Sequence, residues 1–361
     1  MLPRRLSLLA AMGALLVTLL FSTESWAYPW MIKHDYTGCA LCHADPSGGF
    51  LLTAYGRAQQ QTLLSTFGHG PEGNEVDRRS EFLMGAVSLP DWILAGGSVR
   101  EAVMTVKPQG APRSTRTFLM QADAKAAVTL DRVIVAGSLG YNHDGGLPAA
   151  ITRSPQDNLV AREFWAGYRL GDDQQTLLRA GRISLPFGVR TIEHTLYVRT
   201  NTGTNLDSQQ EWGAALAWGG DTRRGEAMVI AGNYQMRPDT YRRRGYALFN
   251  EWAVASRLGL GVSSMVTYVG TDPELKTTWS VSGAHGPFLR WSPISDLTVM
   301  AEADLLHRNP GYGQIALGGA GMLQFDYEVL RGLHGAATTE LYRPADTLGG
   351  TDFRQWLTAS W

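Results

Sequence analysis

Leu317-Gly-Gly-Ala-Gly-Met-Leu-Gln-Phe-Asp-Tyr-Glu-Val329 is the stretch on which the fold turns. Leu323, Phe325, Tyr327 and Val329 point one way, and Gln324, Asp326 and Glu328 point the other. A period of two is the signature of a strand, because successive side chains leave opposite faces. The same pattern recurs upstream. In Thr115–Val128, Phe118, Met120, Ala122, Ala124, Ala126 and Val128 oppose Thr117, Leu119, Gln121, Asp123 and Lys125. In Leu297–Leu305, Leu297, Val299, Ala301, Ala303 and Leu305 oppose Thr298, Met300, Glu302 and Asp304.

From about residue 93 onward the chain reads as some fourteen such segments, near 93–107, 114–129, 133–143, 159–170, 175–185, 210–219, 225–236, 241–257, 260–270, 276–291, 296–307, 314–330, 333–343 and 351–361. Their connections alternate in length. Tight turns are expected at Asp131-Arg132, Gly171-Asp172-Asp173, Gly220-Asp221-Thr222, Gly259, Ser292-Pro293 and Arg331-Gly332, with longer loops between, including 144–158 and 186–209. Phe353, Leu357, Ala359 and Trp361 carry the alternation to the last residue. Short turns on one rim, long loops on the other and a terminal aromatic mark an all-β outer-membrane antiparallel barrel. About 14 strands are expected, within 12–16, over residues 81–361. Asp123, Lys125, Glu163, Arg169, Glu302, Asp304, Asp326 and Glu328 would then face the lumen; in a soluble sandwich they would form a solvated face.

The composition agrees. A net charge of −1 with 18% charged residues lacks the basic excess that nucleic acid requires, so no nucleic-acid partner is expected. A hydrophobic fraction of 44% fits neither a bundle of spanning helices nor a disordered chain. Residues 1–27 read as a signal peptide: Arg4 and Arg5, an apolar run from Leu6 to Phe21, and the small-residue site Ser25-Trp26-Ala27, with the mature chain expected to begin at Tyr28. An exported chain without spanning helices crosses a membrane only as a closed barrel, since every backbone group must be paired in hydrocarbon.

Both cysteines fall in Cys39-Ala40-Leu41-Cys42-His43, a Cys-x-x-Cys-His attachment motif for one covalent haem c. Two thiols three positions apart reach the two porphyrin vinyl groups, and the next residue, His43, gives its imidazole to the iron as proximal ligand. A disulfide loop, a thioredoxin-like pair and half a zinc site are the competing readings. A thioredoxin-like pair needs a βαβ pattern that is not visible, and a zinc site needs further ligands nearby. Candidates for the distal iron position are His34 and Met31, with His69 and Met84 further along. The segment 28–80 is expected to be a small haem unit. Phe50, Leu51, Ala54, Tyr55 and Ala58 form a helical stripe in it, and it is too short to build its own core, so it centres on the haem or packs inside something larger.

A leader, one Cys-x-x-Cys-His behind it and a barrel to the C-terminus resemble the monohaem outer-membrane cytochrome–porin fusions of iron-oxidising bacteria. Locally the resemblance rests on Tyr28-Pro29-Trp30, Gly38-Cys39, Cys42-His43, Pro46 and Tyr55-Gly56-Arg57. It implies thioether anchors at Cys39 and Cys42, a proximal ligand at His43, and electron transfer across the outer membrane. The implied partners are outer-membrane lipid, a soluble periplasmic electron carrier and an extracellular donor or acceptor such as iron; an iron-oxidising oxidoreductase activity is compatible. A solute-conducting porin with a haem plug or sensor is the alternative, and a haem enzyme such as a peroxidase a third.

Overall fold

A computed structural model describes residues 29–64, 82–107, 110, 112–144, 151–152, 156–172, 175–191, 193–206, 208–220, 222–273, 275–276, 278–311, 314–345 and 349–360. The leader, Tyr28 and His69 lie outside them, as does the side chain of Met84.

Fifteen strands form one sheet: β1 (Ile93–Val106), β2 (Ser114–Leu130), β3 (Val133–Asp144), β4 (Gln156–Val160), β5 (Phe164–Leu170), β6 (Thr176–Ile183), β7 (Glu211–Trp218), β8 (Arg223–Ile230), β9 (Arg244–Ala255), β10 (Leu258–Val269), β11 (Ser280–Ile294), β12 (Leu297–Asn309), β13 (Ala316–Leu330), β14 (Leu333–Arg343) and β15 (Asp352–Ser360). Each pairs antiparallel with its sequence neighbour, β4 lying off the main path beside β3. β4 and β5 occupy successive stretches of β3, Gly140 facing Val160 and Gly137 facing Phe164, so they make one interrupted strand. Among the described residues fourteen strands therefore make up the path, within the expected range of 12–16. Among the described residues no ladder joins β1 to β15.

The tight turns fall at one end of the sheet, and Gly171 and Gly332 have φ of 75° and 79°, backbone that favours glycine. Two expected turns are corrected. Gly259 lies inside β10, facing Ala253, because its missing side chain makes room for Glu251: a Cβ there would stand 2.4 Å from Oε1. Ser292-Pro293 lies near the end of β11, where the Ser292 N–H donates to Arg257 O of the neighbouring turn.

The distribution of polarity is inside out for a soluble protein. Arg179, Arg182, Arg199 and Lys33 head the largest fully buried side chains, while Leu357, Val103 and Val229 are exposed. The alternation expected for β2, β12 and β13 holds: Gln121, Asp123, Lys125, Glu302, Asp304, Gln324 and Asp326 are buried, and Leu305, Leu323, Phe325, Tyr327 and Val329 are exposed. Exposed Trp92, Tyr168, Trp252, Trp291 and Tyr327 sit near the turn end, and Tyr141, Tyr246, Tyr268 and Trp279 near the loop end. Leu258, which faces Trp291, lies ten residues from Tyr268 along β10. At roughly 3.3 Å per residue and a tilt of about 40°, the band between is about 25 Å tall, the height of an outer-membrane apolar belt.

Candidate functional site

The N-terminal segment 29–64 fills the turn end of the lumen, and strands far apart in the chain hold it. Lys33 Nζ pairs with Glu328 of β13 at 2.5 Å and stands over the Trp30 ring. That ring lies against His334 of β14, centroids 4.4 Å apart. Arg290 of β11 donates to Thr37 O at 2.8 Å, Arg257 of the β9–β10 turn pairs with Asp35, and Arg179 of β6 pairs with Asp45 at 2.6 Å. Lys125 of β2 faces the Phe50 ring, and Gly96 of β1 leaves space for the Leu51 side chain. Strands from both ends of the path thus meet one segment, which shows that the sheet wraps around it. This packing gives the short segment the core it cannot build alone.

Within the plug the Cys-x-x-Cys-His stretch is one tight turn. The N–H groups of Cys42 and His43 both donate to Cys39 O, bringing two thiols and an imidazole together. Helix α1 (Ala54–Gln59), continued by a wider turn at Gln60–Leu64, packs against it. Thr53 caps α1 by accepting from the Gly56 N–H at 3.0 Å and donates its own hydroxyl to Leu41 O at 2.8 Å. Gly56 has no substitute here: a Cβ would lie 2.2 Å from Cys42 O. The Tyr55-Gly56-Arg57 element therefore exists to let the helix meet the turn.

The donor set fits a c-type haem. Both thiols are free and half-buried. His43 Nδ1 lies 3.3 Å from Gly49 O, the bond that orients a ligating imidazole and leaves Nε2 for a metal. Burial lowers the His43 pKa to about 4, against the Gly49 carbonyl, so the ring is neutral as a ligand must be. Burial and the neighbouring Cys39 raise the Cys42 thiol. The His43 side chain is buried, so a porphyrin seated on it would displace groups that cover the ring.

The surroundings of His34 and Met31 differ from those of His43. His34 lies among Lys33, Glu328, Arg257 and His334, its Nε2 buried without a hydrogen-bond partner and its pKa lowered by burial and Lys33. His43 instead faces Gly49, Asp45 and Lys125. Met31 packs on the hydrophobic core.

Three clamps were not singled out from sequence. Arg224 of β8 donates to Cys39 Sγ at 2.9 Å and pairs with Glu251 of β9 at 2.5 Å; Arg290 shares the same carboxylate at 2.7 Å. Arg179 bridges Asp45 and Glu226 of β8, which also holds Arg190 at 2.8 Å. Part of their signal was present: Arg179, Arg224, Glu226, Glu251 and Arg290 are charges at the inward parity of their strands.

The connection between β6 and β7 folds inward above the plug. Leu185, Phe187, Val189, Leu196 and Val198 are buried, and the short helix α2 (Tyr197–Thr200) lies against β12–β14. Val189 N–H donates to Glu302 at 2.7 Å, Tyr197 N–H to Glu340 at 2.6 Å, and Arg199 pairs with Glu302. Asp304 is buried beside Glu302, carboxyl against carboxyl. Above the loop, toward the long-loop rim, a cavity of about 740 Å³ is lined by residues including Thr202, Arg243, Met265, Asp272 and Arg308.

No protein-family model and no curated protein matches the sequence. Among solved structures the chain is similar to in-vitro folded OmpT of Vibrio cholerae in its trimer form, at 10% identity and a TM-score of 0.55 over 74% of this chain and 82% of that one. It is also similar to outer-membrane expressed OmpT of the same organism, at 9% identity and a TM-score of 0.52 over 76% and 83%. The fold is that of an outer-membrane β-barrel. Its apolar belt, paired aromatic girdles and charged lumen suit a chain embedded in the lipid of a bacterial outer membrane.

Proposed function

We propose that the chain binds one covalent c-type haem on its plug and transfers electrons across the outer membrane, as the cytochrome–porin fusions it resembles do. The observation that carries this is the placement of Cys39, Cys42 and His43 on one turn, His43 Nδ1 tied to Gly49 O, inside a segment that stoppers the turn end of a barrel. When bound, the haem supplies a one-electron iron couple. Cys39 and Cys42 hold the porphyrin edge, and His43 offers Nε2. Arg224, beside the Cys39 sulfur, sets positive charge near the site. The turn rim of such barrels is periplasmic, so a soluble periplasmic electron carrier meets the plug side. An extracellular donor or acceptor, with Fe(II) the donor tested first, meets the loop side.

A second reading, a solute-conducting porin whose haem segment is a plug or sensor, is favoured by the cavity under the loop rim. One experiment separates them. The membrane fraction is examined by visible spectroscopy with and without Fe(II), beside Cys39→Ser/Cys42→Ser, and the purified protein is tested in planar bilayers. A covalent haem spectrum that the double variant lacks, reduced by Fe(II) added outside, supports electron transfer. A large conductance independent of haem reduction supports the channel. A colourless wild-type protein refutes both haem readings.

A further inference from the structure

His285 of β11 and His307 of β12 lie on the outward face, at the parity of Leu289, Trp291 and Leu305. Imidazoles on the lipid side of a barrel wall are costly unless they serve a purpose. These two are arranged as a pair. Their planes lie 6° apart with centroids 5.2 Å apart, and the two Nε2 atoms meet head to head in a hydrogen bond of 3.1 Å. The ladder explains how. Gly283 stands directly opposite His307, and a Cβ there would be 2.1 Å from His307 Nε2. Without a side chain at 283, the His307 ring lies across the strand toward His285, its diagonal neighbour. His285 is oriented from behind, its Nδ1 2.9 Å from Ser264 Oγ, and Ser264 is 3.2 Å from the Tyr246 hydroxyl. The pair lies two residues from the end of β12, near the Tyr268–Trp279 aromatic contact and hence at the long-loop rim.

We propose that His285 and His307 form a two-imidazole site for a divalent transition-metal ion at the outer rim of the barrel. Two nitrogens bound to one metal at roughly 2.0–2.1 Å stand about 2.9 Å apart at a right angle and about 3.3 Å apart at a tetrahedral one; the observed spacing falls between. The Ser264 contact lets His285 Nδ1–H donate, so its Nε2 accepts from His307 Nε2–H in the metal-free pair. An entering metal takes the place of that shared proton, His307 passing to its Nδ1–H tautomer and both rings turning to face the ion. Imidazole donors without carboxylates select copper, nickel or zinc over magnesium or calcium, with copper the tightest. Water completes the coordination. The site is independent of the haem turn.

The test is calorimetric titration of the full-length protein in detergent with Cu²⁺ and Zn²⁺, with Mg²⁺ as control. Comparison with His285→Ala and His307→Ala cancels any contribution from the other histidines and the two thiols. Wild type is expected to bind one ion per chain at this site. Either alanine variant should lose at least tenfold in affinity, and Ser264→Ala about tenfold. Gly283→Val, whose side chain occupies the place of the His307 ring, should weaken binding with both histidines intact. Equal affinity in wild type and both histidine variants overturns the proposal, as does equal heat from Mg²⁺. Circular dichroism of each variant confirms that it is folded before titration.

Discussion

Replacing Arg179 by Met probes what holds the plug in the barrel. Arg179 is 1% exposed and Asp45 is 0% exposed, and they pair at 2.6 Å. Methionine keeps the bulk and removes the charge. Glu226 retains Arg190 at 2.8 Å, whereas Asp45 keeps the Ser47 N–H at 2.7 Å and the Ser47 hydroxyl but loses its paired guanidinium. Breaking a buried pair from one side costs about 3–5 kcal/mol. At 1.36 kcal/mol per decade that is roughly 150- to 5,000-fold in the docking equilibrium of the plug. Hydrogen exchange followed by mass spectrometry reads this on peptides covering 39–53, whose amides are protected by the Cys39, Cys42 and Leu51 carbonyls. Protection there should fall by that factor while protection in β10–β13 is unchanged. Asp45→Asn combined with Arg179→Met removes both charges and should recover much of the loss. Unchanged protection in the single variant, or no recovery in the double, would refute the reasoning that this ion pair fastens the plug.

Other outcomes follow from the same geometry. Gly56→Ala places a methyl against the Cys42 carbonyl and should cost more than 2 kcal/mol in plug stability; covalent haem per chain, measured as the pyridine haemochrome, should drop accordingly. Leu323→Arg, on the lipid face at the middle of β13, should destabilise the folded barrel by about 2–4 kcal/mol in urea titrations from liposomes. Asp304→Asn replaces a buried carboxyl beside Glu302 by an amide of the same shape that donates N–H to that carboxylate, so stability in the same assay should change by less than about 1 kcal/mol.

Much of the wall was legible because a lipid-facing strand must alternate. Gln324, Phe325, Asp326 and Tyr327 could be assigned to their faces from the letters alone, and the structure agrees. Turns were harder. Gly259 and Ser292-Pro293 carry turn residues, yet both lie in strands, the glycine because it yields space to the Arg224–Glu251–Arg290 cluster. The Cys-x-x-Cys-His stretch stands out as a motif, but its seat does not, and the expected stripe is not one face of a helix: Phe50 and Leu51 precede α1 and are buried, while Ala54, Tyr55 and Ala58 on it are exposed. Lys33 finds Glu328 across 295 residues, and no local period announces that. The loop after β6 shows the same limit: Leu185, Phe187 and Val189 advertise burial without saying that the burial is inside the cylinder.

The N-terminal stopper touches the wall at β1, β2, β6, β8 and β11 and at the β13–β14 hairpin, strands that span nearly the whole chain. Its seat is therefore complete only when the first strands and the last hairpins stand together, and the contacts that hold the stopper also draw the two ends of the wall toward each other.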